Sequence, residues 1–267
     1  MKVVLFCGGQ GTRLRDYSDT LPKPMVNIGP RPILWHIMKY YAHFGHTEFI
    51  LCLGYKSEVI KEYFLRYNEW VSNDFVLTDG GRGIRLLNSD IEDWRITFVD
   101  TGTDTSIGQR LKAVEPHLEG EEIFLANYAD GLTDLWLPDY LKAFNARRKV
   151  ASFLAVHSSQ SFAVARIDDA DLCTAMETLS DSEIWINGGF FIFRHEIFDH
   201  IGPGEDLVFE PFARLIAAKQ LMAYRHGGFW QAMDTFKDRQ ELEERYQGGD
   251  APWLVWKRPP AIQAASG

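Results

Sequence analysis

The feature that most constrains the fold is an apolar run near the N-terminus that ends in closely spaced glycines. Residues 2–7 are Lys-Val-Val-Leu-Phe-Cys, and Gly8, Gly9 and Gly11 follow. A continuous apolar run predicts a strand that is buried on both faces, as in a parallel sheet. The glycines let the backbone approach a ligand closely and present its N–H groups as an anion-binding nest. The N-terminus therefore predicts an anion site at the carboxyl end of a strand.

The side chains around these glycines strengthen that prediction. Thr12 offers a hydroxyl donor, and Arg13 a planar fork suited to phosphate oxygens. Lys23 lies between Pro22 and Pro24, which stiffen the backbone around its point charge. Glycines alone would indicate only a tight turn with solvated neighbours, but the combination favours phosphate binding.

Two other glycine-rich phosphate loops fit this segment poorly. The dinucleotide-binding fingerprint requires Gly or Ala where, counting from Gly9, the chain has Leu14. A Walker A loop requires Gly-Lys-Ser/Thr after four free residues, and the segment has none.

Strand and helix patterns alternate over the first 150 residues, which predicts a parallel sheet with helices on both faces. The predicted strands are 2–7, 48–53, 95–100 and 122–128. Three helices are also predicted: one at 33–44, one that Ser57 caps, and one at 138–148. Residues 68–93 are predicted to be irregular with a short hairpin. Beyond 150 we predict strands at 151–156, 162–167, 185–193, 222–225 and 229–233, and helices at 209–218 and 236–246.

Composition limits the kind of partner. The 267 residues carry a formal net charge of -9, which argues against a broad nucleic-acid footprint and requires basic groups to gather locally around an anionic substrate. No apolar run approaches the roughly 20 residues of a membrane-spanning helix. Cys7, Cys52 and Cys173 are far apart in sequence and are predicted to be buried, reduced thiols in a cytoplasmic protein.

Two aspartates form a candidate Mg²⁺ site. Asp130 follows an apolar strand at its carboxyl end, where open α/β sheets bind ligands. Asp234 follows a second short strand and is a plausible partner, since two carboxylates and phosphate oxygens suit magnesium. Asp234 could instead cap the helix that begins at Phe236, and the sequence alone leaves both interpretations open.

These motifs together resemble the sugar nucleotidyltransferase family, and most closely its glucose-1-phosphate cytidylyltransferase branch. The nucleotide signature is Gly8-Gly9-Gln10-Gly11-Thr12-Arg13-Leu14, with Lys23-Pro24-Met25-Val26 after it. Further matches occur along nearly the whole chain, at residues 32–38, 54–56, 60–64, 99–102, 110–112, 186–191, 229–235 and 251–253.

The resemblance implies a Rossmann-like mixed, mainly parallel sheet flanked by helices, with CTP as donor, Mg²⁺ as cofactor and a homo-oligomeric assembly. It implies one nucleotidyltransferase domain at 1–256, with a nucleotide-binding half at 1–150 and an acceptor-binding half at 151–256. Residues 257–267 contain Pro-Pro, Ala, Ser and Gly without periodicity and are predicted from this composition to form a flexible tail. The implied donor contacts are Gly8, Gly9, Gly11, Thr12, Arg13, Lys23 and Arg110, with Arg13 and Lys23 as catalytic residues. Asp130 and Asp234 would bind the metal, and Asn187 and Glu177 the acceptor.

The chain departs from the family pattern on the acceptor side. The family has Glu-Lys-Pro before its Asn-Gly-Gly strand, and that lysine meets the acceptor's phosphate. Here the segment is Glu177-Thr178-Leu179, so the lysine is absent. Arg166 is a candidate substitute, and an acceptor other than glucose 1-phosphate is the alternative.

The predicted activity is transfer of CMP from CTP to a phosphorylated acceptor, most simply a sugar 1-phosphate, in nucleotide-sugar biosynthesis. The absence of a lysine at Thr178 motivates a second hypothesis, a non-catalytic nucleotide-binding regulatory protein on the same fold. A nicotinamide-dependent oxidoreductase is a distant third.

Overall fold

The computed structural model describes residues 1–9, 21–157, 163–179 and 184–257. Its strands are β1 (Val3–Phe6), β2 (Asn27–Ile28), β3 (Arg31–Pro32), β4 (Glu48–Leu53), β5 (Phe75–Thr78), β6 (Gly83–Leu86), β7 (Arg95–Asp100), β8 (Ile123–Tyr128), β9 (Gly131–Thr133), β10 (Ala151–Val156), β11 (Ala163–Ile167), β12 (Cys173–Thr178), β13 (Ile186–Asn187), β14 (Phe191–Arg194), β15 (Leu221–His226) and β16 (Trp230–Ala232). Its α-helices are α1 (Ile33–His43), α2 (Ser57–Leu65), α3 (Ile107–Ala113), α4 (Leu137–Arg147), α5 (Glu210–Ala217) and α6 (Phe236–Gln247).

An eight-stranded sheet organises the molecule. Its order is β13-β10-β14-β8-β1-β4-β7, and β15 pairs with β10. Strands β8, β1, β4 and β7 are parallel to one another, and β15 is parallel to β10. Only β13 and β14 run against the other strands of this sheet. Strand β13 pairs antiparallel with β10, and β14 pairs antiparallel with both β8 and β10. The predicted mixed, mainly parallel sheet is therefore confirmed, and the carboxyl ends of β1, β4, β7, β8, β10 and β15 lie at one edge.

The predicted strand 185–193 is interrupted in its middle. Its two parts, β13 and β14, pair with the same side of β10, but Ala155 faces Asn187 whereas Ser152 faces Ile192. Two extra residues are accommodated between them. Gly189 and Phe190 have positive φ values of 77° and 47°, and such a bulge bends the strand at the edge where ligands bind.

The sheet is covered on both faces, as the alternation of apolar side chains in β1 requires. Val3 and Leu5 pack in one core cluster, and Val4 and Phe6 in another. The first cluster contains buried side chains of α1, α2, α4 and α6, and the second contains those of α3 and α5. Strands from both predicted halves of the chain join this one sheet, so the division at residue 150 stays a prediction.

Most predicted elements occur within a residue or two of their expected bounds, with some differences. Helix α2 begins after Lys56, which has a left-handed φ of 49°, and Ser57 is its first residue and not its cap. Strand β12 and helix α3 were not predicted. Cys7 and Cys52 are buried, but Cys173 on β12 is exposed, so the prediction of three buried thiols is wrong for Cys173.

The region 68–93 contains the expected short hairpin, formed by β5 and β6; one helical turn, Glu69–Val71, precedes it and another, Asp79–Gly81, connects its two strands. In the described part of the chain, the helices are too short or too polar to span a bilayer. The predicted tail, apart from Lys257, lies outside the described residues.

Candidate active site

Two short strands bring the predicted metal-binding aspartates together. Asp130 lies between β8 and β9, and Asp234 lies two residues beyond β16. Strands β9 and β16 pair antiparallel, and the N–H of Met233 donates to the carbonyl of Asp130 at 2.9 Å. This pairing places two aspartates that are distant in sequence beside each other at the carboxyl edge of the sheet.

Lys23 joins the two carboxylates. Its Nζ lies 2.6 Å from Oδ2 of Asp130 and 2.6 Å from Oδ1 of Asp234. The lysine begins a single helical turn, Lys23–Met25, whose Pro24 and Met25 are buried and hold it in place. Burial opposes the charge of Lys23, but attraction to Asp130 and Asp234 outweighs this cost and raises the pKa of Lys23. The ammonium therefore stays charged at and above neutral pH.

The alternative role of Asp234 as a helix cap is wrong. Helix α6 is capped by Thr235, whose hydroxyl accepts the N–H of Asp238, while the Asp238 carboxylate accepts the N–H of Thr235. The backbone N–H of Asp234 also donates to Asp238. The Asp234 side chain is thereby left to face Lys23 and Asp130.

This junction has a donor set that fits Mg²⁺. Each carboxylate uses one oxygen for Lys23, and no other described residue donates to its second oxygen. The side chains of Asp130 and Asp234 are 28% and 29% exposed to solvent, so both can reach a ligand. The two carboxylates carry more charge than the single Lys23 ammonium neutralises, so the junction keeps a net negative charge. Mg²⁺ prefers carboxylate oxygens supplemented by phosphate and water. Within the described ranges no group of three or more His, Cys, Asp or Glu forms a complete protein cage.

Arg110 shapes the loops at the same edge. Its buried guanidinium donates to the carbonyl oxygens of Gly8, Leu53, Gly102 and Thr103 and to the hydroxyl of Thr101. These acceptors follow or end strands β1, β4 and β7. A side chain at Gly8 would collide with this guanidinium, so glycine is required there by close approach. Arg110 therefore holds the loops in position, and its direct contact with a nucleotide stays a prediction.

The rest of the donor loop is only partly described. Gly9 is exposed directly after Gly8, whereas Gly11, Thr12 and Arg13 lie outside the described residues. Burial, followed by the neighbouring Cys52, raises the pKa of Cys7 well above its usual value, so this thiol beneath the loop stays neutral and unreactive.

The predicted acceptor residues separate into two places. Asn187 ends β13, where its Nδ2 donates to the hydroxyl of Tyr128 at 3.5 Å and its Oδ1 accepts the N–H of Gly189. Arg166 and Glu177 lie on the β11–β12 hairpin, and Arg166 donates through Nε and Nη2 to Oε1 of Glu177 at 3.1 and 2.9 Å. The structure thus pairs these two hairpin residues with each other.

Sequence reasoning missed three residues that shape this part of the site. Tyr128 contacts Asn187, Trp230 donates through Nε1 to the carbonyl of Gly188, and Asn127 accepts the N–H of Phe190. The last two hold the bulge between β13 and β14. Asn127 and Tyr128 lie just before Asp130 in the sequence and Trp230 lies four residues before Asp234, and this proximity was the available signal.

Comparison with known sequences identifies the family of the chain. The model of the nucleotidyl transferase family matches residues 2–238. The chain is 38% identical over 258 residues to the probable glucose-1-phosphate cytidylyltransferase of Bacillus subtilis (strain 168), covering 96% of this chain and 100% of the relative. The glucose-1-phosphate cytidylyltransferase of Salmonella typhi gives the same identity and coverage.

Solved structures show the same fold. A putative glucose-1-phosphate thymidylyltransferase from Bacillus anthracis superposes with a TM-score of 0.66 at 15% identity, covering 94% of this chain and 95% of that one. A UDP-glucose pyrophosphorylase in complex with UDP-glucose gives a TM-score of 0.66 at 16% identity, covering 93% and 98%. The family match over residues 2–238 and the 38% identity over nearly the whole chain show that the chain belongs to the nucleotidyl transferase family, in which it is related to the glucose-1-phosphate cytidylyltransferases.

Proposed function

We propose that this protein transfers CMP from CTP to a sugar 1-phosphate, with glucose 1-phosphate as the simplest acceptor, and releases pyrophosphate. The observation that carries the proposal is the junction of Lys23, Asp130 and Asp234 at the carboxyl edge of the sheet, beside Gly8. The names of the relatives at 38% identity support cytosine as the base and glucose 1-phosphate as the acceptor.

The proposed reaction is an in-line displacement. An oxygen of the acceptor's phosphate attacks the α-phosphorus of CTP, the bond from that phosphorus to the β-phosphate oxygen breaks, and pyrophosphate leaves. A phosphate monoester is already a nucleophile near pH 7, so no general base is required. The protein's contribution is positioning and neutralisation of charge.

Lys23 and the glycine loop supply that contribution in the proposal. The raised pKa of Lys23 keeps a full positive charge available to the triphosphate at all physiological pH values. Gly8, pressed against Arg110, brings the backbone of the first loop close to the ligand. Arg13, Thr12 and Gly11 are proposed to complete the contacts with the phosphates.

We also propose that Asp130 and Asp234 hold Mg²⁺. When bound there, the ion would neutralise charge on the phosphate oxygens that it contacts. The two carboxylates need a cationic partner in either state, and in the structure Lys23 fills that role. A homo-oligomeric assembly and a cytoplasmic location stay proposals that rest on the family resemblance and on the free cysteines.

The proposal is tested by pyrophosphate release from CTP, ATP, GTP and UTP with a panel of phosphorylated acceptors. We expect turnover with CTP and a sugar 1-phosphate, and its loss in Asp130→Asn. Undiminished turnover in Asp130→Asn would remove that residue from the metal site. Nucleotide binding without turnover on any acceptor would favour the regulatory alternative.

A further inference from the structure

Three neighbouring strands align Asn187 with an arginine that the family motif does not include. Ala155 on β10 lies opposite Asn187 on one side and opposite Arg225 of β15 on the other. Residues directly opposite in a sheet project from the same face. Neighbouring strands lie about 4.8 Å apart, so the Cα atoms of Asn187 and Arg225 are roughly 10 Å apart across β10. Arg225 therefore belongs to the face and the edge that carry the acceptor residue Asn187.

Aromatic side chains fix the position of this arginine. The guanidinium carbon of Arg225 lies 5.3 Å from the centre of the Trp185 ring, which is a cation–π contact. The Trp185 ring in turn lies 4.0 Å from the His157 ring. Within the ranges that the structure covers, Arg225 is exposed and no carboxylate or carbonyl accepts its N–H groups. A planar cation supported by an indole is well suited to bind phosphate oxygens through two N–H groups.

In the family pattern, a lysine at the position of Thr178 on the β11–β12 hairpin supplies the positive charge that binds the acceptor's phosphate. The described part of this hairpin does not supply such a charge. Arg166 is the only basic residue of 163–179, and it is paired with Glu177. Arg166 faces Ala175, three residues farther along the hairpin than the Ala163–Thr178 pair at its base. At about 3.3 Å per residue, Arg166 lies roughly 10 Å beyond Thr178 along the hairpin. A phosphate that the family lysine would reach from position 178 is thus remote from Arg166.

Arg225 lies beside the place where the chain returns from this hairpin to the sheet, since it contacts Trp185 directly before β13. The hairpin is inserted between β10 and β13. His157 directly follows β10 and Trp185 directly precedes β13, and the rings of these two residues contact each other. Because Trp185 also contacts Arg225, the arginine lies at the end of the sheet from which the chain enters the hairpin and to which it returns.

We propose that Arg225, supported by Trp185, binds the phosphate of the acceptor and replaces the lysine that is absent at Thr178. This inference rests on the proposed function, because it assumes that the acceptor is a phosphate monoester bound next to Asn187. It assigns the positive charge that binds the acceptor's phosphate to β15, and it makes Arg166 and Glu177 a structural ion pair of the hairpin.

The test separates acceptor binding from donor binding. In Arg225→Met we expect the KM for glucose 1-phosphate to rise about 10- to 100-fold, which is the usual effect of removing a charged hydrogen-bonding partner, while the KM for CTP stays at the wild-type value. Arg225→Lys should be intermediate, and Thr178→Lys combined with Arg225→Met should recover acceptor affinity. Arg85→Met, at an exposed position on the β5–β6 hairpin, is the matched control. An unchanged KM for glucose 1-phosphate in Arg225→Met, or the expected loss appearing in Arg166→Met instead, would overturn the assignment.

Calorimetric binding of glucose 1-phosphate to the CTP-free protein makes the same comparison without turnover. Wild-type protein that binds this ligand more tightly than Arg225→Met, yet releases no pyrophosphate, would refute the proposed function and keep the role of Arg225. Wild-type protein that neither binds nor uses any sugar 1-phosphate would overturn both.

Discussion

Replacing Arg110 by Met tests whether this residue holds the loops of the active site together. Methionine keeps most of the apolar stem but donates no hydrogen bonds, so the change removes the guanidinium from a site where it is 2% exposed. Five acceptors on three segments of chain lose a donor. The prediction concerns both the free energy of unfolding and the affinity for CTP.

The magnitude depends on which acceptors keep another partner. The carbonyl of Leu53 still accepts from the N–H and hydroxyl of Thr101, and the carbonyl of Gly8 still accepts from the N–H of Tyr55. Among described donors, the carbonyls of Gly102 and Thr103 have only Arg110. Leaving a buried acceptor unsatisfied costs about 1–3 kcal/mol. Since both carbonyls are only partly buried, we expect a loss of about 2–4 kcal/mol in the free energy of unfolding.

Urea denaturation of Arg110→Met, with exposed Arg85→Met as control, measures this loss. We expect the control to match wild type and Arg110→Met to show a lower midpoint with weakened CTP binding. Arg110→Lys keeps the charge but cannot reach all five acceptors, so it should fall between the two. If Arg110→Met were as stable as the control, the guanidinium would not be holding these loops. Weakened CTP binding at full stability would instead indicate direct contact with the nucleotide.

Two further predictions concern charge. Lys23→Met should lower the rate of pyrophosphate release about 100- to 1000-fold, as expected for a lost donor to developing charge. The loss should be constant from pH 7 to pH 9 because the pKa of Lys23 is raised. A near-wild-type rate would remove Lys23 from the site. Burial lowers the pKa of His36 from 6.5 to about 4, so the unfolded chain takes up this proton first as the pH falls. The free energy of unfolding should be unaffected by His36 above pH 6.5 and should fall by up to about 1.4 kcal/mol per pH unit below it. Denaturation at pH 7 and pH 5 should show a weaker dependence in His36→Gln, and an equal dependence would contradict the assignment.

The sequence predicted the central strands because their apolar runs are unambiguous. Strands β4 and β7 have the expected bounds, and α1 begins at Ile33 and stops before Gly45, whose φ of 83° matches the expected helix stop. Strand β12 was missed because its residues are mostly exposed and show no apolar alternation. Helix α3 has only seven residues, too few for a periodic signal.

The candidate site could be predicted only in part, for physical reasons. Asp130 and Asp234 each follow a strand, and this local signal was sufficient to propose them as partners. Their contact depends on β9 and β16, which are three residues each and too short to be recognised as a pair from sequence. Lys23 was predicted for phosphate, and its bridge between the two carboxylates is a long-range contact that no local pattern reveals. The burial of Arg110 was hidden for the same reason.

The most direct test of the account is a ³¹P NMR measurement of CTP and glucose 1-phosphate mixed with Mg²⁺ and the wild-type protein, with Asp130→Asn in parallel. The account predicts that a CDP-sugar and pyrophosphate appear in equal amounts with wild type, and that both are lost in Asp130→Asn. Release of pyrophosphate together with free CMP, or no reaction with any nucleotide and sugar 1-phosphate, would contradict it.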